Sequence, residues 1–146
     1  MSPREELLQR IGNINDFDRP RPLVTLEEFF EGNDDWGSIG CNLPDQPSPT
    51  EFYRLFASIR KRPDVADVRV QVQEMEDPEG WPSTDTIWII TRATPSEIRE
   101  WLGERIAPDD LVVGFPKPLS QPGLVGYEVE AYEVPEGMKA YGVWWD

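Results

Sequence analysis

The side chains with the greatest potential for chemistry lie in residues 31–42, where Asn33, Asp34 and Asp35 occur together with three glycines and the only cysteine. A calcium-binding loop needs oxygen ligands at positions 1, 3 and 5 and a glycine at position 6. Counted from Asn33, Gly37 falls at the fifth position, so the segment lacks the calcium pattern. The glycines and short polar side chains predict a tight turn that leads into a buried strand. A binding role for this turn is the alternative.

The cysteine and histidine content excludes several kinds of catalytic and metal site. There is no histidine, so Ser-His-Asp and Cys-His catalysis and histidine-based zinc sites are excluded. Cys41 is the only cysteine, which excludes an internal disulfide and a cysteine-cluster metal site. A cysteine nucleophile also needs a base or a positive neighbour, whereas Cys41 lies between Gly40 and Asn42. We therefore expect a buried core cysteine, no metal and no cofactor, and these absences favour a protein without enzymatic activity over an enzyme.

A second group of charged residues lies in residues 74–79, which carry three glutamates and one aspartate just before a tryptophan. Charge runs of this kind most often form a solvated surface, and the functional alternative is an acidic patch that faces a cationic partner. Tryptophan is enriched among the residues that contribute most to binding at protein interfaces. The candidate contact residues are the acidic residues of both loops and the adjacent tryptophan: Asp34, Asp35, Glu76, Asp77, Glu79 and Trp81.

The overall charge indicates which partners the protein can bind. The 146 residues include 28 acidic and 14 basic side chains, which gives a formal net charge of −14. Such a surface repels phosphate backbones and anionic lipid head groups, which argues against binding to nucleic acids or membranes. It favours a basic protein partner. The alternatives are a small-ligand-binding protein or enzyme with a carboxylate–arginine site near Asp34, Asp35 and Cys41, and an acidic domain whose charges are spread evenly.

The length predicts one domain, over residues 1–146, that is large enough to bury a core without disulfides. The N-terminal sequence lacks the basic and apolar regions of a secretory signal. The longest apolar run, residues 87–90, is far shorter than the roughly 20 residues that a transmembrane helix needs. Together with the single free thiol, these features lead us to expect a cytoplasmic protein.

Four segments carry a helix start signal, in which a serine or threonine is followed by a glutamate three residues later. The hydroxyl caps a free backbone N–H, and the glutamate reaches back to the amide of the capping residue. The capping residues are Ser2, Thr25, Ser48 and Thr94. The strongest apolar stripe follows the third of these, at the spacing of one helix face: Phe52, Leu55, Phe56 and Ile59.

Alternating and apolar runs predict the strands. Residues 68–73 alternate valines with polar side chains, which indicates one solvent-facing side. Residues 85–91 are apolar on both sides, so they predict a central strand that pairs with the first through the long loop between them. Shorter strands are predicted at residues 40–43 and 111–115.

The C-terminal part predicts a second hairpin, in which residues 127–134 and 138–145 are joined by the turn at residues 135–137. In this hairpin Trp144 and Trp145 point to opposite faces, so we expect one of them to pack in the core. Together the elements predict an α+β fold, a mostly antiparallel sheet with three to four helices packed mainly on one side.

Residues 23–43, residues 81–91 and the C-terminal Trp-Trp-Asp sequence resemble a group of uncharacterised bacterial proteins. In size, acidity and expected compartment the chain is also similar to the immunity proteins of bacterial toxin systems, which are small cytoplasmic α+β domains that block a cognate toxin, often through an acidic face. This resemblance implies an immunity-type inhibitor, and it carries over no functional residues. The leading interpretation is a non-enzymatic acidic binding protein that inhibits a basic protein partner.

Overall fold

A computed structural model describes residues 1–116 and 128–146 of the chain. Its α-helices are α1 (Pro3–Ile11), α2 (Leu26–Phe30), α3 (Pro49–Arg60) and α4 (Pro95–Leu102). Its strands are β1 (Leu23–Thr25), β2 (Val65–Gln71), β3 (Thr86–Thr91), β4 (Asp110–Val113) and β5 (Lys139–Trp144). A short 3₁₀ turn, Trp36–Ser38, follows α2.

The strands form one antiparallel sheet in the order β1–β2–β3–β5–β4. β3 lies in the middle of the sheet, and all six of its residues are buried. Its Ile87 and Ile89 pair with Val70 and Val68 of β2. The structure thus confirms the predicted α+β fold class, the central strand and its antiparallel pairing through the long loop.

The helices cover one face of the sheet, as predicted. Val68, Val70, Ile87 and Ile89 project from this face into the main core. The core also takes apolar side chains from every helix: Leu7, Ile11, Leu26, Phe29, Phe30, Phe52, Phe56, Ile59, Ile98 and Leu102.

The opposite face of the sheet packs against irregular chain. Trp88 and Ile90 lie in a second apolar cluster with Phe115 and with side chains from residues 129–140. Gly142 of β5 pairs with Trp88, and a Cβ at this glycine would stand 2.9 Å from the indole ring. The close approach of the ring therefore requires glycine on the neighbouring strand.

Each helix begins directly after its predicted capping residue. The hydroxyl of that residue accepts a hydrogen bond from the backbone N–H of the residue three positions later. The reciprocal bond, in which the backbone N–H of the capping residue donates to the glutamate carboxylate, is present in α2 and α4. In α3, however, Glu51 accepts two hydrogen bonds from the guanidinium of Arg105, at 2.7 and 2.9 Å. The arginine thus holds a carboxylate that the sequence assigns to the cap.

The predicted C-terminal hairpin is wrong. β5 pairs with β3 on one side and with β4 on the other, so neither edge of β5 is open to the residues before the turn. Residues 128–130 run instead beside Arg21, whose N–H donates to the Glu128 carbonyl at 2.7 Å and whose carbonyl accepts from the Glu130 N–H at 3.0 Å. Tyr127, with which the predicted strand begins, lies outside the described residues.

The predicted strand at residues 40–43 is also wrong, because the Leu43 N–H donates to the Gly40 carbonyl at 3.1 Å and closes a turn. Gly40 has a φ of 64°, and a Cβ there would stand 2.5 Å from the Phe52 ring. Cys41 follows in this turn and is exposed, so the expectation of a buried core cysteine is wrong. A turn that directs the glycine toward the core leaves the next side chain in solvent.

Trp145 is 2% exposed, whereas Trp144 is half-buried, which confirms that one of the two C-terminal indoles packs in the core. The Trp145 ring packs edge-on against Phe52 and Phe56, with centroid distances of 5.4 and 5.9 Å. Its indole N–H donates to the Ile106 carbonyl at 3.3 Å. The end of the chain thus joins α3 to the segment after α4.

Candidate binding groove

A surface groove with a volume of about 440 Å³ lies where three segments meet: the start of α1, the loop after α2 and the loop between β2 and β3. It brings together four of the six predicted contact residues, namely Asp34, Asp35, Glu79 and Trp81. We call this feature the acidic groove. Its remaining lining residues are Ser2, Pro3, Arg4, Gly32 and Gly80.

Asp35 joins the two loops that form the groove. One carboxylate oxygen accepts the Gly37 N–H at 2.9 Å, and the other accepts the Trp81 N–H at 3.1 Å. Its own N–H donates to the side-chain carbonyl of Asn33 at 2.9 Å. Because both oxygens already accept backbone donors, Asp35 acts mainly as a positioning residue for the groove.

Arg4 fixes the third wall and is a groove residue that the sequence analysis missed. Its Nε donates to the Gly80 carbonyl at 2.8 Å, and its Nη2 donates to the Pro78 carbonyl at 2.7 Å. These bonds attach the loop between β2 and β3 to the first turn of α1. The sequence offers no local signal for this contact, because the partners are more than seventy residues apart.

Asp34 and Glu79 supply the available negative charge. Both residues are exposed, and both line the groove. Neither carboxylate forms a hydrogen bond or an ion pair with any residue that the structure describes. They can therefore accept hydrogen bonds from a cationic group without first releasing another partner.

Trp81 lines the groove with a side chain that is almost entirely buried. The residue is 8% exposed, and it packs with the main core. Its indole Nε1 is buried and has no acceptor within residues 1–116 and 128–146. A buried N–H without an acceptor costs about 1–3 kcal/mol.

The other two predicted contact residues do not line the groove. Asp77 shapes the adjacent turn, since its carboxylate accepts the Glu79 N–H at 2.9 Å and its carbonyl accepts the Gly80 N–H at 3.0 Å. Glu76 is exposed and lies close to Glu74. Burial, followed by the hydrogen bond and charge of Glu76, raises the pKa of the Glu74 carboxyl.

Two smaller depressions continue from the acidic groove across α1 and α2. The first, of about 150 Å³, shares Pro3 with the groove, and the second, of about 350 Å³, shares Glu27 and Glu31 with the first. We call the three together the acidic strip. The strip adds four glutamates that were not predicted as contact residues: Glu6, Glu27, Glu28 and Glu31.

Two of these glutamates, Glu27 and Glu28, lie in the first turn of α2, where the sequence predicts a helix start. Glu28 completes the capping box of α2, and Glu27 precedes it in the first turn. Both carboxylates also contact arginines, because Arg60 binds Glu27 and Arg10 lies 3.7 Å from Glu28. The signal that could have found the strip is the four-residue spacing of Glu27, in the first turn of α2, and Glu31, which caps its end, because this spacing places two side chains on the same side of a helix.

The alternative site near Asp34, Asp35 and Cys41 is only partly assembled. Asp34 and Asp35 line the groove with Arg4, whereas Cys41 does not. The described residues contain no group of three or more His, Cys, Asp or Glu side chains that could hold a metal ion. None of the helices within this part of the chain is long and apolar enough to cross a membrane.

Comparisons with known proteins define the family of the chain. A protein of Escherichia coli (strain K12), described as "Uncharacterized protein YfbO", is 40% identical over 149 residues, which cover 100% of both chains. No solved structure matches the chain. A family model matches residues 2–143, and the chain therefore belongs to the bacterial family described as "Uncharacterized protein YfbO family".

Proposed function

We propose that the protein is a non-enzymatic binding protein that engages a basic protein partner through the acidic groove and acts as an immunity-type inhibitor of that partner. The observation that carries this proposal is the position of two unpaired carboxylates, Asp34 and Glu79, beside the buried indole of Trp81. Carboxylates select a cationic side chain, and the buried indole, which packs with the main core, forms a fixed apolar boundary beside them.

The net charge supports the same partner. A formal charge of −14 attracts a basic protein from a distance, which raises the rate of association and makes it dependent on salt. The acidic strip gathers part of that charge into adjoining depressions on one side of the molecule. A partner attracted by the overall charge would therefore meet free carboxylates next to apolar surface.

The groove is also held in shape before a partner arrives. Asp35 and Arg4 each attach the loop between β2 and β3 to a different wall. A preorganised site loses less conformational entropy on binding, so more of the contact energy remains as affinity.

The test is affinity capture from a lysate of the native host with the immobilised protein. It is carried out at about 0.1 M and at about 1 M salt, because the Debye length falls from about 10 Å to about 3 Å between these concentrations. Three baits are compared: wild type, the double variant Asp34→Asn/Glu79→Gln, and the control Glu133→Gln/Glu136→Gln. The control removes the same two charges from exposed positions outside the groove.

We expect wild type and the control to retain one basic protein at low salt, and the groove variant to retain it about tenfold less or not at all. Purified partner is then assayed for toxicity in cells with and without this protein, since an immunity-type inhibitor must protect them. Retention that is equal for all three baits, or the absence of any basic partner, would overturn the proposal.

A further inference from the structure

The depression at the far end of the acidic strip combines aromatic rings with carboxylates. It has a volume of about 350 Å³, and its lining residues are Glu27, Phe30, Glu31 and Tyr53. The Phe30 and Tyr53 rings lie with their centroids 6.0 Å apart and their planes inclined at 50°. Phe30 is buried, whereas Tyr53 is half-buried, so Tyr53 supplies most of the ring surface that the depression presents beside the two acidic side chains.

One side of this depression is rigidly organised. The Arg60 guanidinium forms a two-pronged bond with Glu27, at 2.7 Å for each nitrogen–oxygen pair, and the Tyr53 hydroxyl donates to the same carboxylate at 2.9 Å. The hydrogen bond from Arg60 is the main reason that the pKa of Glu27 is lowered to about 2. Tyr53 is thereby fixed against α2, and the charge of Glu27 is already compensated by Arg60.

The uncompensated charge in the depression belongs to Glu31. This residue is exposed, and its carboxylate makes no hydrogen bond or ion pair within the described part of the chain. A free carboxylate beside aromatic faces is the environment that binds an organic cation, because the ring face and the carboxylate both attract positive charge. Arginine suits such a site better than lysine, since its planar and weakly hydrated guanidinium stacks on rings and forms paired bonds with a carboxylate.

We infer that this depression is a second subsite of the proposed interface and that it takes the side chain of an arginine from the basic partner. The inference rests on the proposed function, because the partner is the one that the acidic groove engages. Continuity supports it: the intervening depression shares Pro3 with the acidic groove and shares Glu27 and Glu31 with this subsite. A basic segment lying along the strip would contact both ends of it.

The experiment measures binding of acetylated hexa-arginine and hexa-lysine peptides by isothermal titration calorimetry at low salt. Glu31→Gln removes the free carboxylate, and Glu136→Gln is its matched control at an exposed turn outside the strip. Tyr53→Leu removes the aromatic face, whereas Tyr53→Phe keeps the ring and removes only the hydroxyl that donates to Glu27. Circular dichroism and urea unfolding confirm that each variant is folded.

We expect wild type to bind hexa-arginine about two- to fivefold more tightly than hexa-lysine. Tyr53→Leu should abolish this preference and Tyr53→Phe should keep it, while Glu31→Gln should weaken hexa-arginine binding more than Glu136→Gln does. Equal binding by Glu31→Gln and Glu136→Gln would overturn the subsite, and this comparison stands even if Tyr53→Leu does not fold.

The same titrations separate this inference from the function on which it rests. If Asp34→Asn/Glu79→Gln weakens peptide binding but Glu31→Gln and Tyr53→Leu do not, the acidic groove is supported and the second subsite is refuted. If wild type binds neither peptide at low salt, the second subsite is refuted, whereas the acidic groove is still decided by the affinity capture with Asp34→Asn/Glu79→Gln.

Discussion

Replacing Arg21 with methionine is expected to destabilise the protein by about 3–5 kcal/mol. Arg21 is 0% exposed, although it carries a charge. Its guanidinium donates to four backbone carbonyls, those of Ile14, Asp16, Arg19 and Gln73, at distances between 2.7 and 3.0 Å. It thus supplies the donors for a loop that connects α1 to β1 and for the chain that follows β2.

The magnitude follows from opposing contributions. Hydrogen bonds from a charged donor contribute about 1.5–3 kcal/mol each, so four of them would exceed the expected change. Removing the guanidinium also removes the cost of keeping an ion out of water, which is several kcal/mol. What remains is the cost of leaving the four carbonyls without this donor, which is about 1–3 kcal/mol for each carbonyl that stays buried and finds no other donor, so two or three such carbonyls account for a loss of about 3–5 kcal/mol.

Urea unfolding, followed by tryptophan fluorescence and by circular dichroism, measures this change directly. At about 3 °C per kcal/mol for a chain of this size, the melting temperature should fall by about 10–15 °C. Arg54→Met is the matched control, because Arg54 is exposed on α3 and its replacement should change stability by less than about 0.5 kcal/mol. If Arg21→Met loses less than about 1 kcal/mol, the net contribution of a typical single hydrogen bond, then the reasoning about the four carbonyls is refuted.

Three further changes test separate parts of the structure. Gly142→Ala places a Cβ 2.9 Å from the Trp88 ring, and urea unfolding should show a loss of about 1–3 kcal/mol; an unchanged midpoint would contradict this packing. The pKa of Glu27 is lowered from 4.5 to about 2, so its stabilising effect is present above pH 4.5 and is lost as the pH falls toward 2. Between these values the stability of Glu27→Gln should depend less on pH than that of wild type, and equal slopes would count against the ion pair. Burial and the hydrogen bond to Asp67 raise the pKa of Tyr132 to about 12, so an ultraviolet titration should show a late-ionising tyrosine that is absent in Tyr132→Phe.

Features that depend on neighbouring residues could be predicted from the sequence. A serine or threonine cap acts on an N–H three residues away, so Ser2, Thr25, Ser48 and Thr94 identify helix starts without knowledge of the rest of the fold. The run of apolar residues in β3 likewise predicts a strand that is buried on both faces of the sheet, although it does not predict which segments pack there. These local signals are sufficient for the fold class.

Features that depend on competition between distant segments could not be predicted. The residues before β5 have strand-like alternation, yet β3 and β4 occupy both edges of β5. The groove depends on a bond between Asp35 and Trp81, which are 46 positions apart. The sequence of each loop predicts a charged turn and therefore candidate contact residues. It does not predict which residues of the two loops lie next to each other in the folded protein. β1 has three residues, too few for a periodic pattern.

The central position of β3 has a consequence for the order in which the protein is made. Until β5 is synthesised, the most apolar strand of the sheet has one open edge, and β4 has no strand to pair with. Open apolar edges of this kind promote aggregation of partly folded chains. Because β5 follows the other four strands in the chain, the sheet cannot close until β5 has been synthesised, and we expect this edge of β3 to be the site at which partly made chains associate.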